Sequence, residues 1–294
     1  MTTESRLATA IVFGTGTLWG FYWLPVRQAE AMGLAGAWGT AAITAAAVVL
    51  LAPFALVYLG AIRRNPGAAA FVALGGAAFA LYSVGLVYGR VAIIILLFFL
   101  TPVWSTLIGR FVMGWATPRL RVVAIGLGLL GLIVMLAATG SVPVPRSAGE
   151  WMALVAGFLW AIASTGIRTR PELPPVPAAF VFALGATIAA GLLAPALEPL
   201  PSPDQIGGAA RTVGLVAGAG GIWWALSIAA LLWATVRLDP ARVGILLMSE
   251  VLVGAASAAI LAGETLHPLE LLGGALVVIA GILEVWPVRR RAEA

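Results

Sequence analysis

The sequence predicts an all-α polytopic membrane protein with ten transmembrane helices, and three observations predict it. Apolar residues make up 62% of the 294-residue chain and charged residues only 10%. Apolar stretches long enough to cross a bilayer follow one another almost without pause. Arginine gathers at every second junction between them. A hydrocarbon core of about 30 Å takes about 20 helical residues to cross. Spans are expected near residues 8–27, 34–60, 68–88, 91–113, 120–138, 151–168, 176–196, 211–235, 241–262 and 268–287.

The junctions alternate in charge. Arg6, Arg63, Arg64, Arg119, Arg121, Arg168, Arg170, Arg237, Arg242, Arg289, Arg290 and Arg291 fall on one side, with Arg110 near it. Only Arg27, Arg90, Arg146 and Arg211 fall on the other. Basic loops stay on the cytoplasmic side, so the chain is expected in the inner membrane with both termini in the cytoplasm. One missed or falsely split span would scramble this alternation, and it keeps phase through all ten. The net charge of +5 sits in short loops beside anionic headgroups, which argues for lipid contact and against nucleic acid. Cysteine is absent, which excludes disulfides and thiol chemistry. The first apolar run continues through Trp19, Tyr22, Trp23 and Pro25 without a small-residue cleavage site, so it reads as a retained helix and not as a signal peptide. The proline-rich stretch 198–208 is an outer connection.

The chain also repeats itself. Residues 1–140 and 141–294 form two five-helix repeats, joined around Pro143-Val144-Pro145-Arg146. Gly16-Thr17-Leu18-Trp19 opens the first half and Gly157-Phe158-Leu159-Trp160 the second, each Trp followed eight residues later by Arg27 or Arg168. Gly75–Tyr82 aligns with Gly220–Ser227 in the third helix of each half. Five crossings is an odd number, so the second repeat enters in the opposite sense. Inverted repeats with a midplane site between them characterise secondary transporters.

These features, with Pro102 in Thr101-Pro102-Val103 and Gly263-Glu264-Thr265-Leu266 before the last helix, resemble the drug/metabolite transporter superfamily. Within it the chain is similar to the EamA-type exporters, and most like the branch that exports aromatic and other amino acids. Two positions depart from that pattern: Gly114-Trp115 stands where a second Gly-Glu is common, and Ser249-Glu250 where the ninth helix often has proline. The resemblance implies a central cavity between helices 1, 3, 4, 6, 8 and 9, worked by alternating access.

Candidate substrate-binding residues follow from depth and helical face. Trp19, Tyr22 and Trp23 share a face of the first helix, Phe79, Tyr82 and Ser83 one of the third, and Trp160 and Ser164 one of the sixth. Thr101, Trp104, Trp223, Trp224, Ser227 and Glu250 also lie near the estimated midplane. Aromatic faces attract an ammonium group by about 0.5–2 kcal/mol; plain packing is the alternative reading for each ring, and interfacial anchoring for Tyr88, Trp115, Trp151 and Trp286. An acid at mid-helix costs about 2.5–3.5 kcal/mol to insert. Glu250 is therefore expected to be the counter-ion of a substrate amine, a protonatable coupling group, or one end of a structural hydrogen bond. Glu284 and Arg110 are near enough to the cytoplasmic ends to snorkel. Pro102, with Gly85 and Gly109, is the expected hinge. No arginine lies at the midplane, so a substrate carboxylate is expected to meet freed backbone N–H groups or hydroxyls, as at a broken helix.

Other patterns carry no chemistry. Gly126-Leu-Gly128-Leu-Leu-Gly131 matches a dinucleotide motif but lies inside an apolar helix, where small residues serve close packing. His267 stands alone, without the ligand set of a metal site. No cofactor is expected. The expected function is export of small organic solutes, most of all aromatic or other neutral amino acids, by a carrier that needs no partner beyond substrate and lipid and can act as a monomer. An efflux carrier for cationic lipophilic drugs is the first alternative. A membrane-embedded lipid-modifying enzyme would need Asp, His or Arg clustered at one membrane face, and a channel would need pore charges; neither pattern is present. Because native cysteine is absent, orientation is directly measurable: an impermeant thiol reagent outside the cell should label Arg146→Cys and spare Arg63→Cys.

Overall fold

The computed structural model describes residues 3–114, 119–139, 144–170, 172–235, 237–238 and 240–285, which form helices joined by short turns. The first span is in two pieces, α1 (Thr3–Trp19) and α2 (Trp23–Ala31). α3 (Ala37–Ala55) runs through a 3₁₀ turn into α4 (Leu59–Arg64), and α5 (Pro66–Tyr88) is continuous. The fourth span is again in two pieces, α6 (Val91–Phe98) and α7 (Thr101–Phe111). Next come α8 (Arg119–Leu136), α9 (Ala148–Thr169) and α10 (Pro175–Leu197). The eighth span is α11 (Ala209–Ala219), a π-helical stretch Gly220–Ser227 and α12 (Ile228–Thr235). α13 (Pro240–Leu261) and α14 (Pro268–Val285) complete the described chain.

Nine stretches among the described residues, from Thr3–Ala31 to Val243–Leu261, are long and apolar enough to cross a membrane, and Pro268–Leu283 is a shorter apolar helix. With 18 residues, α14 extends about 27 Å, near the thickness of the hydrocarbon core. Each lies at a span expected from the sequence. Pro143, Trp115, Trp286, Arg289, Arg290, Arg291 and the side chains of Arg242 and Glu284 lie outside the described residues.

Of the first, fourth and eighth spans, irregular near their middles, two have a proline behind the irregularity. Pro25 has no N–H and its ring crowds the carbonyl four residues back, so the ladder fails between α1 and α2. Tyr22 N–H turns to Trp19 O (2.9 Å) and Leu24 N–H to Phe21 O (3.0 Å). The carbonyls of Leu18 and Gly20 are thereby released from their usual partners. They are met from the far half of the chain: Trp223 Nε1 donates to Leu18 O at 2.9 Å, and Ser257 Oγ to Gly20 O at 3.1 Å. Pro102 acts alike on the fourth span. It deprives Phe98 O of its donor, and the Thr101 hydroxyl takes that place at 2.7 Å while lying 3.2 Å from Gly157 O. Gly85 and Gly109, expected to share the hinge with Pro102, lie within uninterrupted α5 and α7; the interruption is at Pro102 alone. Gly85 serves close packing instead, because a Cβ on facing Gly149 would come 2.5 Å from its carbonyl oxygen.

The spans pack by backbone approach at small residues. α5 lies along α9 and against α10, which also packs on α3; α8 lies along α14; α1 packs on α12 and α13; the π stretch packs on α3; α6 packs on α9 and α13, and α7 on α9. A Cβ on Gly131 would sit 2.6 Å from Gly273 O, and one on Gly273 2.5 Å from Gly131 O. Gly128 and Gly131 of the dinucleotide-like pattern are thus packing positions, whereas Gly126 faces open space. A Cβ on Gly76 would lie inside van der Waals contact with Phe182 O. Gly76→Ala should therefore destabilise the protein by about 1–3 kcal/mol, read as a lower thermal midpoint in detergent, while Gly126→Ala should leave it unchanged or slightly raised.

Candidate functional site

The three irregular spans bring their side chains to one place. Phe79 of α5 is its hub. Its ring lies 5.1 Å from Trp19, 6.2 Å from Tyr82, 5.2 Å from Phe98, 5.0 Å from Trp160, 5.3 Å from Phe182 and 6.5 Å from Trp224, centroid to centroid. All six contacts are edge-to-face, the geometry in which the positive rim of one ring meets the negative face of the next. Trp19 and Tyr22 pack at 4.8 Å with their planes tilted by 44°, and Tyr82 and Phe98 at 4.6 Å tilted by 30°.

Hydroxyls, indoles and one carboxylate run through this aromatic body. Trp224 Nε1 donates to Tyr22 OH at 2.8 Å. Tyr22 OH pairs with Ser83 Oγ at 3.0 Å, and Ser83 Oγ with Thr40 Oγ1 at 2.7 Å. Trp19 Nε1 donates to Ser227 Oγ at 2.9 Å, and the Ser227 hydroxyl donates to Trp223 O. Trp19 and Trp223 therefore reach across in opposite directions, each indole bonding to the irregular segment of the other span. Trp23 Nε1 donates to Ser257 Oγ at 3.0 Å. Tyr82 OH donates to Glu250 Oε1 at 3.2 Å, so the acid of the ninth span meets the aromatic cluster through a phenol.

The rings do not line an opening. Trp19 is 3% exposed, Tyr22 and Trp224 are fully buried, and Glu250 is 5% exposed. The pocket expected between the halves is filled by side chains in this conformation, because edge-to-face contact lets each ring occupy its neighbour's gap. A cavity of about 270 Å³ lies elsewhere, lined by Gly33, Ala35, Glu198, Pro199 and Pro201 beyond the ends of α2 and α10.

Most of the expected residues converge: Trp19, Tyr22, Phe79, Tyr82, Ser83, Trp160, Trp223, Trp224, Ser227 and Glu250, with Trp23 at the edge. Three do not. Trp104 turns to Phe158, 5.9 Å away. The Ser164 hydroxyl returns to Ala161 O of its own helix at 3.3 Å. Thr101 closes the break in the fourth span. At the first-span break the N–H groups of Gly20, Phe21, Tyr22 and Leu24 are bound to Gly16, Leu18, Trp19 and Phe21 carbonyls, which leaves hydroxyls as the other expected receptor for a carboxylate. Phe98, Phe182, Thr40 and Ser257 join the site unforeseen. Two of them had a signal: Thr40 and Thr44 are hydroxyls one turn apart in an alanine-rich span, and Ser257 lies two turns after Glu250 on the same face.

Residues 147–285 match the EamA-like transporter family. A solved crystal structure of a protein 18% identical in sequence superposes with a TM-score of 0.63, covering 94% of this chain and 95% of that one. At that identity the likeness speaks for the fold. Among curated proteins none matches.

Removing the shared acceptor tests the polar seam. Ser83→Ala takes a partner from both Tyr22 and Thr40 in a buried setting and should cost about 1–3 kcal/mol, seen as a lower thermal midpoint. Ser164→Ala, whose hydroxyl bonds only within its helix, should leave the midpoint in place.

Proposed function

We propose that this chain, a drug/metabolite-type transporter whose residues 147–285 belong to the EamA-like family, carries small amine-bearing organic solutes out of the cell across the inner membrane. The observation that carries the reading is the meeting of Glu250 with the aromatic cluster through Tyr82. Nine rings can receive an apolar or aromatic side chain. A single carboxylate among them can receive an ammonium group, strengthened by cation–π attraction of about 0.5–2 kcal/mol.

Alternating access between two inverted repeats, 1–140 and 141–294, is supported by the helix pairing. Exchanging each span with the one five places further on turns third-on-sixth into eighth-on-first, third-on-seventh into eighth-on-second, and first-on-ninth into sixth-on-fourth. All six of these pairings occur. Fifth-on-tenth, second-on-seventh and fourth-on-ninth map onto themselves, and these also occur. In this reading the packed aromatic cluster is the closed centre of the cycle. Substrate enters when the rings part, and the two breaks and the π stretch let short helical segments move without disturbing whole spans.

Amino acids and carboxylate-free amines are the two candidate classes. No arginine among the described residues hydrogen-bonds into the cluster, and the first-span N–H groups are engaged, which favours the amine without a carboxylate. Counterflow in proteoliposomes decides between them. Tryptamine and aromatic ammonium dyes should exchange faster than tryptophan, and Glu250→Gln should lower amine exchange by about tenfold or more, as loss of a buried counter-ion does. Full amine exchange by the variant would overturn the counter-ion role, and exchange of tryptophan alone would return the amino acid as substrate.

A further inference from the structure

Two ion pairs, Arg27 with Glu264 and Arg90 with Glu270, lie at one end of the bundle beside the start of α6. Glu264, in the turn between α13 and α14, accepts the N–H groups of Val91 at 2.8 Å and Ala92 at 3.2 Å with its two oxygens. A carboxylate on the first N–H groups of a helix is favoured by both hydrogen bonding and the macrodipole. The same carboxylate lies 3.4 Å from Arg27 Nη2. Arg27 in turn donates from Nε to Leu86 O at 3.2 Å and from Nη2 to Gly89 O at 3.0 Å, covering the last carbonyls of α5. Beside it, Arg90 pairs with Glu270 at 2.6 Å, and the other Glu270 oxygen accepts His267 N–H at 2.8 Å to cap α14. Four separate elements, α2, the α5–α6 junction, the α13–α14 turn and α14, are thus held by two carboxylates and two guanidiniums.

We propose that Glu264 is a positioning residue for transport: with Arg27 it clasps this end of the bundle shut, and its release is the step that opens the central cluster towards this end. The inference rests on the alternating-access reading, since only a carrier needs this end to open. The clasp is suited to the task. The side chain of Arg27 is 33% exposed and that of Glu264 10%, so on separation the guanidinium meets water while the carboxylate keeps the N–H groups of Val91 and Ala92. It also grips α6, the short half of a span already severed at Pro102 from α7, so that α6 can swing as a unit while α7 stays packed. Directly below the clasp lie Tyr22, Ser83 and Thr40, the hydroxyl layer of the site.

A reporter cysteine at Thr40, buried in the closed form, reads this step without substrate, in detergent-solubilised protein where both ends meet the reagent. Glu264→Gln should raise the labelling rate of Thr40→Cys by about tenfold, the scale of a shift in a two-state equilibrium. Arg27→Gln, which leaves Glu264 on the helix terminus, should raise it less, and serves as the second variant should the first fail to fold. Glu150→Gln, at the start of α9, should leave it unchanged. Unaltered labelling in folded Glu264→Gln or Arg27→Gln protein overturns the clasp. Raised labelling stands whichever solute class is transported, so failure of the amine reading and failure of the clasp are told apart.

Discussion

A bilayer offers no water to a backbone carbonyl, and every irregularity in this fold is governed by that constraint. The chain breaks its first and fourth spans, and at each break carbonyl groups lose their helical donors. The structure answers with side chains: Trp223 for Leu18, Ser257 for Gly20, Thr101 for Phe98. The residues that close these breaks are the same ones, or neighbours of the ones, that build the aromatic site. Interruption and the aromatic cluster therefore share residues: the side chains that satisfy the severed helices also tie the two halves of the chain together.

The two ends of that design differ in chemistry. The centre is dense with rings and holds its polar groups by neutral hydrogen bonds, apart from Glu250. The end near Arg27 and Arg90 is held by charge. Neutral hydrogen bonds in a buried cluster cost about 1–3 kcal/mol each when a partner is lost. At the charged end the carboxylates of Glu264 and Glu270 are 10% and 6% exposed and the guanidiniums of Arg27 and Arg90 33% and 39%, so water reaches the cations before the anions.

Much of this was legible in the chain itself. Hydropathy places the spans because the bilayer imposes a length on every apolar helix that crosses it. The aromatic face of Trp19 and Tyr22, the mid-helix acid at 250 and the break at Pro102 announce themselves as costly residues in an apolar medium. Phe98 and Phe182 do not, because a phenylalanine in a hydrophobic span costs nothing and so marks nothing. Trp104 misleads for a related reason: depth in the membrane is readable, but the direction a helix turns its face is set by neighbours distant in sequence. The π stretch at Gly220–Ser227 also has no local signature, since no proline forces it. The Gly263-Glu264 motif is visible in the sequence, but the role of Glu264 is not, because its partners lie more than 170 residues away.

Trp19 with Ser227, Trp224 with Tyr22, Trp23 with Ser257, Tyr82 with Glu250, Arg27 with Glu264 and Arg90 with Glu270 all join the early part of the chain to the late part. During synthesis the leading segments leave the ribosome and enter the lipid well before their partners exist. Until the trailing segments arrive, Gly20 lacks the Ser257 hydroxyl, Leu18 has only the Phe21 N–H, and Arg27 lacks its acid. The nascent protein must therefore linger in the shelter of the insertion machinery, and its burial of polar groups becomes complete only as the final helices emerge.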